Sequence, residues 1–277
     1  MLFANLCKAI KRVIRVFVQT AKLAMLSNLE YRFNFILDAC VQPIISTSID
    51  IMFWTSLFTL MGKDSFAGYG LKSYLGYLLW ATFFSRISSN WMYEFRMIRE
   101  IESGAINSIL TRPFTFYEFY CGQFLGYKFL TAGVSFLIPL CIGFWWDFSI
   151  QHERLPFVLI MLVYNLFFIY SMSFLVSSLG FLFTKVNALT YSKNLILFLL
   201  SGEMFPLDLF PENVKNILIH LPFAAGCYIP VGYLTGRVSN DLFFSTFLSI
   251  TIGMIAVMGV AILIWRAGVQ RYSGTGA

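Results

Sequence analysis

Charge is scarce in this chain. Asp, Glu, Lys and Arg make up 12% of the 277 residues, about half the 25% of an ordinary soluble domain. No charged residue occurs from Leu155 to Thr184, and none from Leu242 to Trp265. Neither stretch suits a water-facing element, which needs a polar face. Histidine is nearly missing. His152 and His220 are the only two, neither beside a second candidate ligand, so the pattern of a metal-dependent membrane enzyme is absent. The five cysteines, at positions 7, 40, 121, 141 and 227, form no CxxC pair and no Cys/His cluster. That argues against a disulfide framework and a zinc site; they read as small apolar residues in or beside membrane segments. There is no GxxxxGK[ST] loop, no Rossmann glycine pattern and no internal repeat. A nucleotide-binding domain is not expected, nor nucleic acid as a partner, nor a cofactor or metal on this chain.

What is abundant is apolar surface. The chain is 58% hydrophobic with 31 Phe, and its mean hydropathy is +0.73. A bilayer core about 30 Å thick needs about 20 apolar residues of helix. Both uncharged runs clear that length, so the expected fold class is an all-α polytopic membrane protein. Six transmembrane helices are predicted, at about 33–60, 74–93, 119–144, 156–183, 186–204 and 242–265. The acidic and polar cluster from Asp147 to Arg154 ends the third. The fifth is the weakest, being short and carrying Lys193. Trp54, Trp265 and the Trp145–Trp146 pair fall where interfacial belt residues sit.

Residues 1–28 form a separate element. Their basic region is too long for a signal peptide and no Ala-x-Ala-like site follows it. Lys8, Lys11, Arg12, Arg15 and Lys22 recur at helical spacing, with Leu6, Ile10, Val13, Ile14, Phe17 and Val18 between them. The pattern predicts an amphipathic helix lying on the membrane surface, basic face toward anionic headgroups. Residues 29–277 form the transmembrane domain.

Lysine and arginine set the orientation. With six crossings, the N-terminal basic residues, Arg96, Arg99, Arg112, Lys185, Lys193, Arg266 and Arg271 share the cytoplasmic side; Lys63, Lys72, Arg154, Lys215 and Arg237 stay outside. Both termini are then cytoplasmic. A seventh crossing at 221–236 would put Arg266 and Arg271 outside. That segment, broken by Pro222 and Pro230, reads better as part of a re-entrant hairpin over 205–236 at the outer face.

The link between the second and third spans, EFRMIREIESGAINSILTRPFTFYEFY, is amphipathic, then turns at Gly104 and stops before Arg112-Pro113. It predicts a structured cytoplasmic elbow over 98–113. The segment IESGAINSILTRPF, the basic N-terminal helix and the stretch SGEMFPLDLFPENVKNILIHLPFAAGCYIPVGYLTGR at 201–237 together resemble the permease subunits of ABC-2 type transporters. The likeness is to the bacterial branch encoded apart from its ATPase, and it covers essentially the whole chain.

That resemblance implies a six-span half-transporter in the bacterial cytoplasmic membrane. It would pair with a second permease, as homodimer or with a related chain, and dock two ABC ATPase subunits that carry ATP and Mg. It would move a hydrophobic or amphipathic substrate (drug, lipid or glycan) outward. Carried over, Arg99, Glu100, Glu102, Gly104, Ala105, Asn107 and Arg112 would meet the ATPase, and Phe205, Pro206, Pro222, Phe223 and Pro230 would belong to the outer re-entrant element. Asp50 and Arg86, charged inside the first two spans, would either line the translocation path or pair with one another across antiparallel neighbours. The alternatives are a secondary transporter, which would need paired repeats or more broken spans than the one found here, and a membrane-embedded enzyme.

Overall fold

A computed structural model describes residues 2–62, 65–66, 68–88, 91–146, 150–183 and 185–272. Lys63 and Asp147 lie outside the described residues, as do the side chains of Lys8 and Trp145. In chain order the helices are α1 (Leu2–Glu30), α2 (Arg32–Ile36), α3 (Gln42–Met61), α4 (Leu71–Ser88), α5 (Trp91–Glu102), α6 (Asn107–Leu110), α7 (Phe116–Trp146), α8 (Leu155–Ser178), α9 (Asn187–Leu200), α10 (Glu212–Leu218), α11 (Tyr228–Leu234) and α12 (Asn240–Arg271). A π-turn at Leu37–Val41 joins α2 to α3, and the two-residue strands β1 (Ser65–Phe66) and β2 (Tyr69–Gly70) pair in a small antiparallel ribbon.

Among the described residues, four stretches are long and apolar enough to cross a membrane: Arg32–Met61, Phe116–Gly143, His152–Phe181 and Asn240–Arg271. The expected second and fifth spans are built differently. The second is divided into α4 and α5, and α5 runs on to Glu102 beside α8 rather than stopping near position 93. The fifth, α9, has 14 residues, about 21 Å at 1.5 Å each. In the most apolar window of α8, 61% is buried, against 17% for the first of these stretches and 11% for α12. Hence α8 is the central post, while α3 and α12 present most of their apolar surface outward.

Side-chain pairs fix the directions. Trp54 lies on Tyr74 with ring centres 4.5 Å apart, while Asp38 meets Arg86, so α3 and α4 are antiparallel. Trp80 meets Phe136 and Lys128 meets Arg86, so α4 and α7 are antiparallel too. Phe157–Phe244 and Phe174–Trp265 contacts make α8 and α12 run the same way. At one end, Arg237 donates to the Gly68 carbonyl, the Gln151 amide to Leu234 and Tyr69 to Asp208. At the other, Arg12 pairs with Glu118, Ile101 packs on Gly180, and Tyr272 reaches both Phe181 and the Gly104 carbonyl.

The phenylalanine and tyrosine excess goes into the core, where Trp80, Tyr74, Tyr77, Tyr120, Tyr170, Phe84, Phe124 and Phe168 are fully buried. Trp54 is buried, and Trp265 packs against Phe116, Phe174 and Phe181. Both therefore sit against protein, not in the outward-facing belt that their positions suggested. Large rings fill space with few rotamers and tolerate edge-to-face contacts.

The helix termini have local reasons. Thr115 and Glu118 form a reciprocal capping box at the start of α7, with the Glu118 amide donating to Thr115 Oγ1 (3.1 Å) and the Thr115 amide to Glu118 Oε2 (2.8 Å). Ser239 caps α12. Helix α1 keeps Lys11, Arg12, Arg15 and Lys22 exposed, as its pattern predicted. Its Thr20–Ala24 face is pinned to α7 at Gly122 and Gly126, where an added Cβ would lie 1.9 Å from Thr20 Oγ1 and 2.5 Å from the Ala21 carbonyl oxygen. The helix is thus packed on the bundle, not only laid on a surface.

Candidate functional site

A cavity of about 470 Å³ lies between α3, α4, α8, α9 and the segment after α9. Gln42, Ser85, Arg86, Ser88, Asn194, Ser201 and Glu203 supply its polar lining, and Phe198 and Phe223 part of its apolar wall. Arg86 is held from three directions. Its Nη1 donates to Gln42 Oε1 at 2.7 Å, and its Nη2 to both the carbonyl and the carboxylate of Asp38. Asp38 sits in the π-turn, where the regular helical ladder is interrupted and a carbonyl is free to accept. Tyr127 donates to the other Asp38 oxygen, and Lys128 Nζ donates to the Arg86 carbonyl at 2.8 Å.

Of the two readings of Asp50 and Arg86, path-lining or pairing with one another, the pair is not the one seen: Arg86 forms an ion pair with Asp38. The two residues were read as antiparallel neighbours, which is right for α3 and α4. However, Asp50 lies three turns of α3 further on, half-buried, with its charge acting on Tyr74 and Glu203. Glu203 in turn accepts from the Ser85 hydroxyl.

Closer to the elbow, a second ion pair joins three helices. Lys193 of α9 donates to Glu94 of α5 and, at 2.9 Å, to Ser173 of α8. In the sequence Lys193 is the charge that weakens the fifth predicted span, and Glu94 opens the link between the second and third. The signal was there: a buried ammonium requires a counter-charge.

The elbow follows α5 directly. Gly104 has φ 75°, a left-handed conformation that only glycine adopts without strain, and it ends the helix. Ile106 and Ile109 are buried and anchor the turn, while Glu102, Ala105, Asn107 and Arg112 are exposed. Arg112 Nε donates back to the Ser108 carbonyl at 3.1 Å. Glu100 is half-buried, 3.8 Å from Arg96, and Arg99 turns toward α1. The elbow tip is therefore formed by part of the predicted set.

At the opposite end the chain descends through α10 and the Pro222–Gly226 turn, reaches Gly226 beside Ser201 and Asn165, then returns along α11 to Leu234 beside Gln151. Pro206 and Pro230 are buried, Phe205 packs on Phe210, and Phe223 faces Phe168. The Tyr228 amide donates to the Ser201 carbonyl at 2.8 Å, and Tyr77 to that of Gly202 at 2.5 Å. At the turn its irregular backbone is covered by protein, with Ala224, Ala225 and Gly226 buried. Asp208 ties the segment down, accepting from Tyr69 (2.7 Å), Tyr228 (2.9 Å) and Lys215. Burial pushes the Asp208 carboxyl up, but the hydrogen bonds from Lys215, Tyr69 and Tyr228 outweigh it and hold the group below the usual carboxylate range.

Residues 44–276, from early in α3 to the penultimate position, match the sequence family described as ABC-2 family transporter protein. The chain belongs to that family. It is a multi-pass membrane permease of an ABC transporter, and the family implies association with an ABC ATPase. No curated protein matches the chain. The polar cavity lies at one level of the bundle and the exposed elbow at one end. Between them, α5 carries Glu94 and α9 carries Lys193.

Proposed function

We infer that this chain is one permease half of an ATP-driven exporter in a bacterial cytoplasmic membrane. It crosses six times with both termini inside, pairs with a second permease and couples to two ATPase subunits at the elbow. The alternation of helix directions supports the six crossings: Gly68 and Tyr69, residues 150–154 and 205–238 meet at one end, the elbow, the Leu179–Phe181 turn and the end of α12 at the other. The cationic bias assigns the elbow end to the cytoplasm.

The observation that carries the coupling reading is the elbow itself. Its buried Ile106 and Ile109 anchor it, while the charged and polar groups Glu102, Asn107 and Arg112 at its tip are exposed. ATP binding, with Mg, would draw two ATPases together and push the elbows; α5 would pass the displacement to α8 and α9, and the outer hairpin would follow because α9 leads directly into it. The chain supplies no covalent chemistry in this scheme. Its cavity, part polar and part aromatic, suits an amphipathic cargo such as a lipid, glycan or drug.

The test is co-purification of the chain with its ATPase from native membranes, comparing parent with Glu102→Arg and Arg112→Glu. Loss of the ATPase with normal insertion supports the elbow contact. Undiminished binding and stimulated hydrolysis in both variants sinks it.

A further inference from the structure

Helices α1, α5 and α7 leave a cleft of about 520 Å³ at the elbow end of the bundle, apart from the central cavity. Arg96 and Arg99 line it from α5, Asn28 and Leu23 from α1, and Gln123 from α7; Met92 borders it from α5. Arg96 and Arg99 are three residues apart on one helix, so their guanidinium groups project from neighbouring positions on one face.

The charge in this cleft is unbalanced. Arg99 makes no ion pair among the described residues. Arg96 is 3.8 Å from Glu100 of its own helix, and its hydrogen bond goes to Gln123 Oε1 at 3.2 Å. Because Gln123 accepts there through its oxygen, its amide N–H groups stay available as donors. Asn28 donates to the Ala24 carbonyl at 2.7 Å, which fixes its amide at the rim. Two guanidinium groups and an amide thus face one space with a single, loosely held carboxylate nearby. That donor set is built for an anion, and the planar fork of arginine matches phosphate oxygens two at a time.

The cleft is also greasy on one side. Leu23 is 56% exposed and Met92 is 48% exposed. A free inorganic anion has no use for such a wall, whereas a phospholipid places an acyl chain beside its phosphate. The surroundings agree, since Lys11, Arg15 and Lys22 stand exposed on α1 and favour an anionic leaflet.

We propose that this cleft binds the phosphate headgroup of an anionic phospholipid, with Arg96, Arg99 and Gln123 on the phosphate and an acyl chain along Leu23 and Met92. A bound lipid bridges α1 to α5, the helix that continues into the elbow. Leaflet composition then acts on the helix that the coupling scheme moves. The site needs only the membrane assignment and stands whether or not the elbow meets an ATPase.

The test uses the full chain in detergent, with dioleoylphosphatidylglycerol, dioleoylphosphatidylcholine and inorganic phosphate as separate probes. Retained adducts are counted by native mass spectrometry and unfolding midpoints are measured. Phosphatidylglycerol is expected to remain bound and raise the midpoint, with phosphatidylcholine weaker. R96Q/R99Q should lower phosphatidylglycerol affinity at least about tenfold, since each lost charged hydrogen bond alone approaches that factor. K11Q/R15Q, on the exposed face of α1, should change it little. If the double variant does not fold, R99Q alone serves, because Arg99 holds no ion pair whose loss would unfold the chain. Equal binding of the two lipids, or undiminished phosphatidylglycerol binding in R99Q, overturns the site. A midpoint rise reproduced by inorganic phosphate alone overturns the lipid as its occupant.

Discussion

Lys193 on α9 is ion-paired with Glu94 on α5, and the two side chains are 6% and 0% exposed. Their separation in sequence is 99 positions. Ser173 of α8 completes the contact, so three helices meet at one charge pair. The pair lies between the elbow, which follows α5, and the proline-broken segment of residues 205–236, which follows α9.

Removing one partner strands the other in a dry site. Lys193→Met is expected to destabilise the protein by about 3–5 kcal/mol, as is Glu94→Leu, while the double substitution recovers most of the loss. Thermal unfolding of the four proteins checks this. The double variant should also retain its ATPase yet lose transport, because an apolar contact no longer fixes α9 to α5 in register. A double variant that transports normally removes the pair from the coupling route.

The Arg86 assignment gives a swap experiment. Asp38→Arg with Arg86→Asp should restore assembly that either single change impairs. Asp50→Arg with Arg86→Asp should not, because Asp50 lies three helical turns from the contact. Rescue by the second swap and not the first would falsify the pairing.

Gly126 is predicted to be the more demanding of two glycines on α7. An added Cβ there meets the Ala21 backbone at 2.5 Å, whereas at Gly133 nothing lies within 4 Å. Gly126→Leu should release α1 and cost at least about 1–3 kcal/mol through overpacking. Gly133→Leu should be near neutral. Protease sensitivity of α1 in purified protein distinguishes them.

The outer hairpin should loosen in acid. Asp208 is held below its ordinary pKa in the folded protein, so its contribution is fully present above the unfolded value of about 3.9. It is lost as pH falls through the lower folded value. Protection of the amides across residues 205–236, taken as exchange relative to that of an unstructured chain at the same pH, should fall below about pH 4 in the parent. Asp208→Asn should exchange faster at neutral pH and show less change with acid. A parent profile flat down to pH 3 contradicts the anchoring role.

The helical class, the turn at Gly104 and the broken backbone among the prolines after α9 were legible in the sequence because each has a local cause. Uncharged length marks a span, Gly104 and Pro113 mark a turn, and clustered prolines mark broken backbone. The sequence did not carry partner identity across the bundle. That Asp38 is the partner of Arg86 depends on the π-turn that presents it, and such a turn leaves no simple pattern in a sequence. Glu94 opens a polar stretch with Arg96, Arg99 and Glu100; that α5 extends beside α8 before the elbow, and so buries Glu94, depends on packing. The glycine pair 122/126 is a small-xxx-small spacing that could have pointed to the docking of α1.

The topology is open to direct measurement, and the packing selects the positions. In a background without the native cysteines, Ser108→Cys and Gln270→Cys sit exposed at the elbow end, and His152→Cys and Glu212→Cys sit exposed at the hairpin end. Tyr272 is a poorer probe, since it packs on Phe181. With six crossings and internal termini, a membrane-impermeant maleimide added to intact cells should label positions 152 and 212 and spare 108 and 270. Permeabilised cells should show all four. Position 270 tests the parity of the crossings, because a seventh pass through 221–236 would bring it outside while 108 stays in. Position 212 tests the hairpin: labelling from the cytoplasmic side there would mean that α9 does not deliver the chain to the outer face, and the re-entrant reading of residues 205–236 would fall with it.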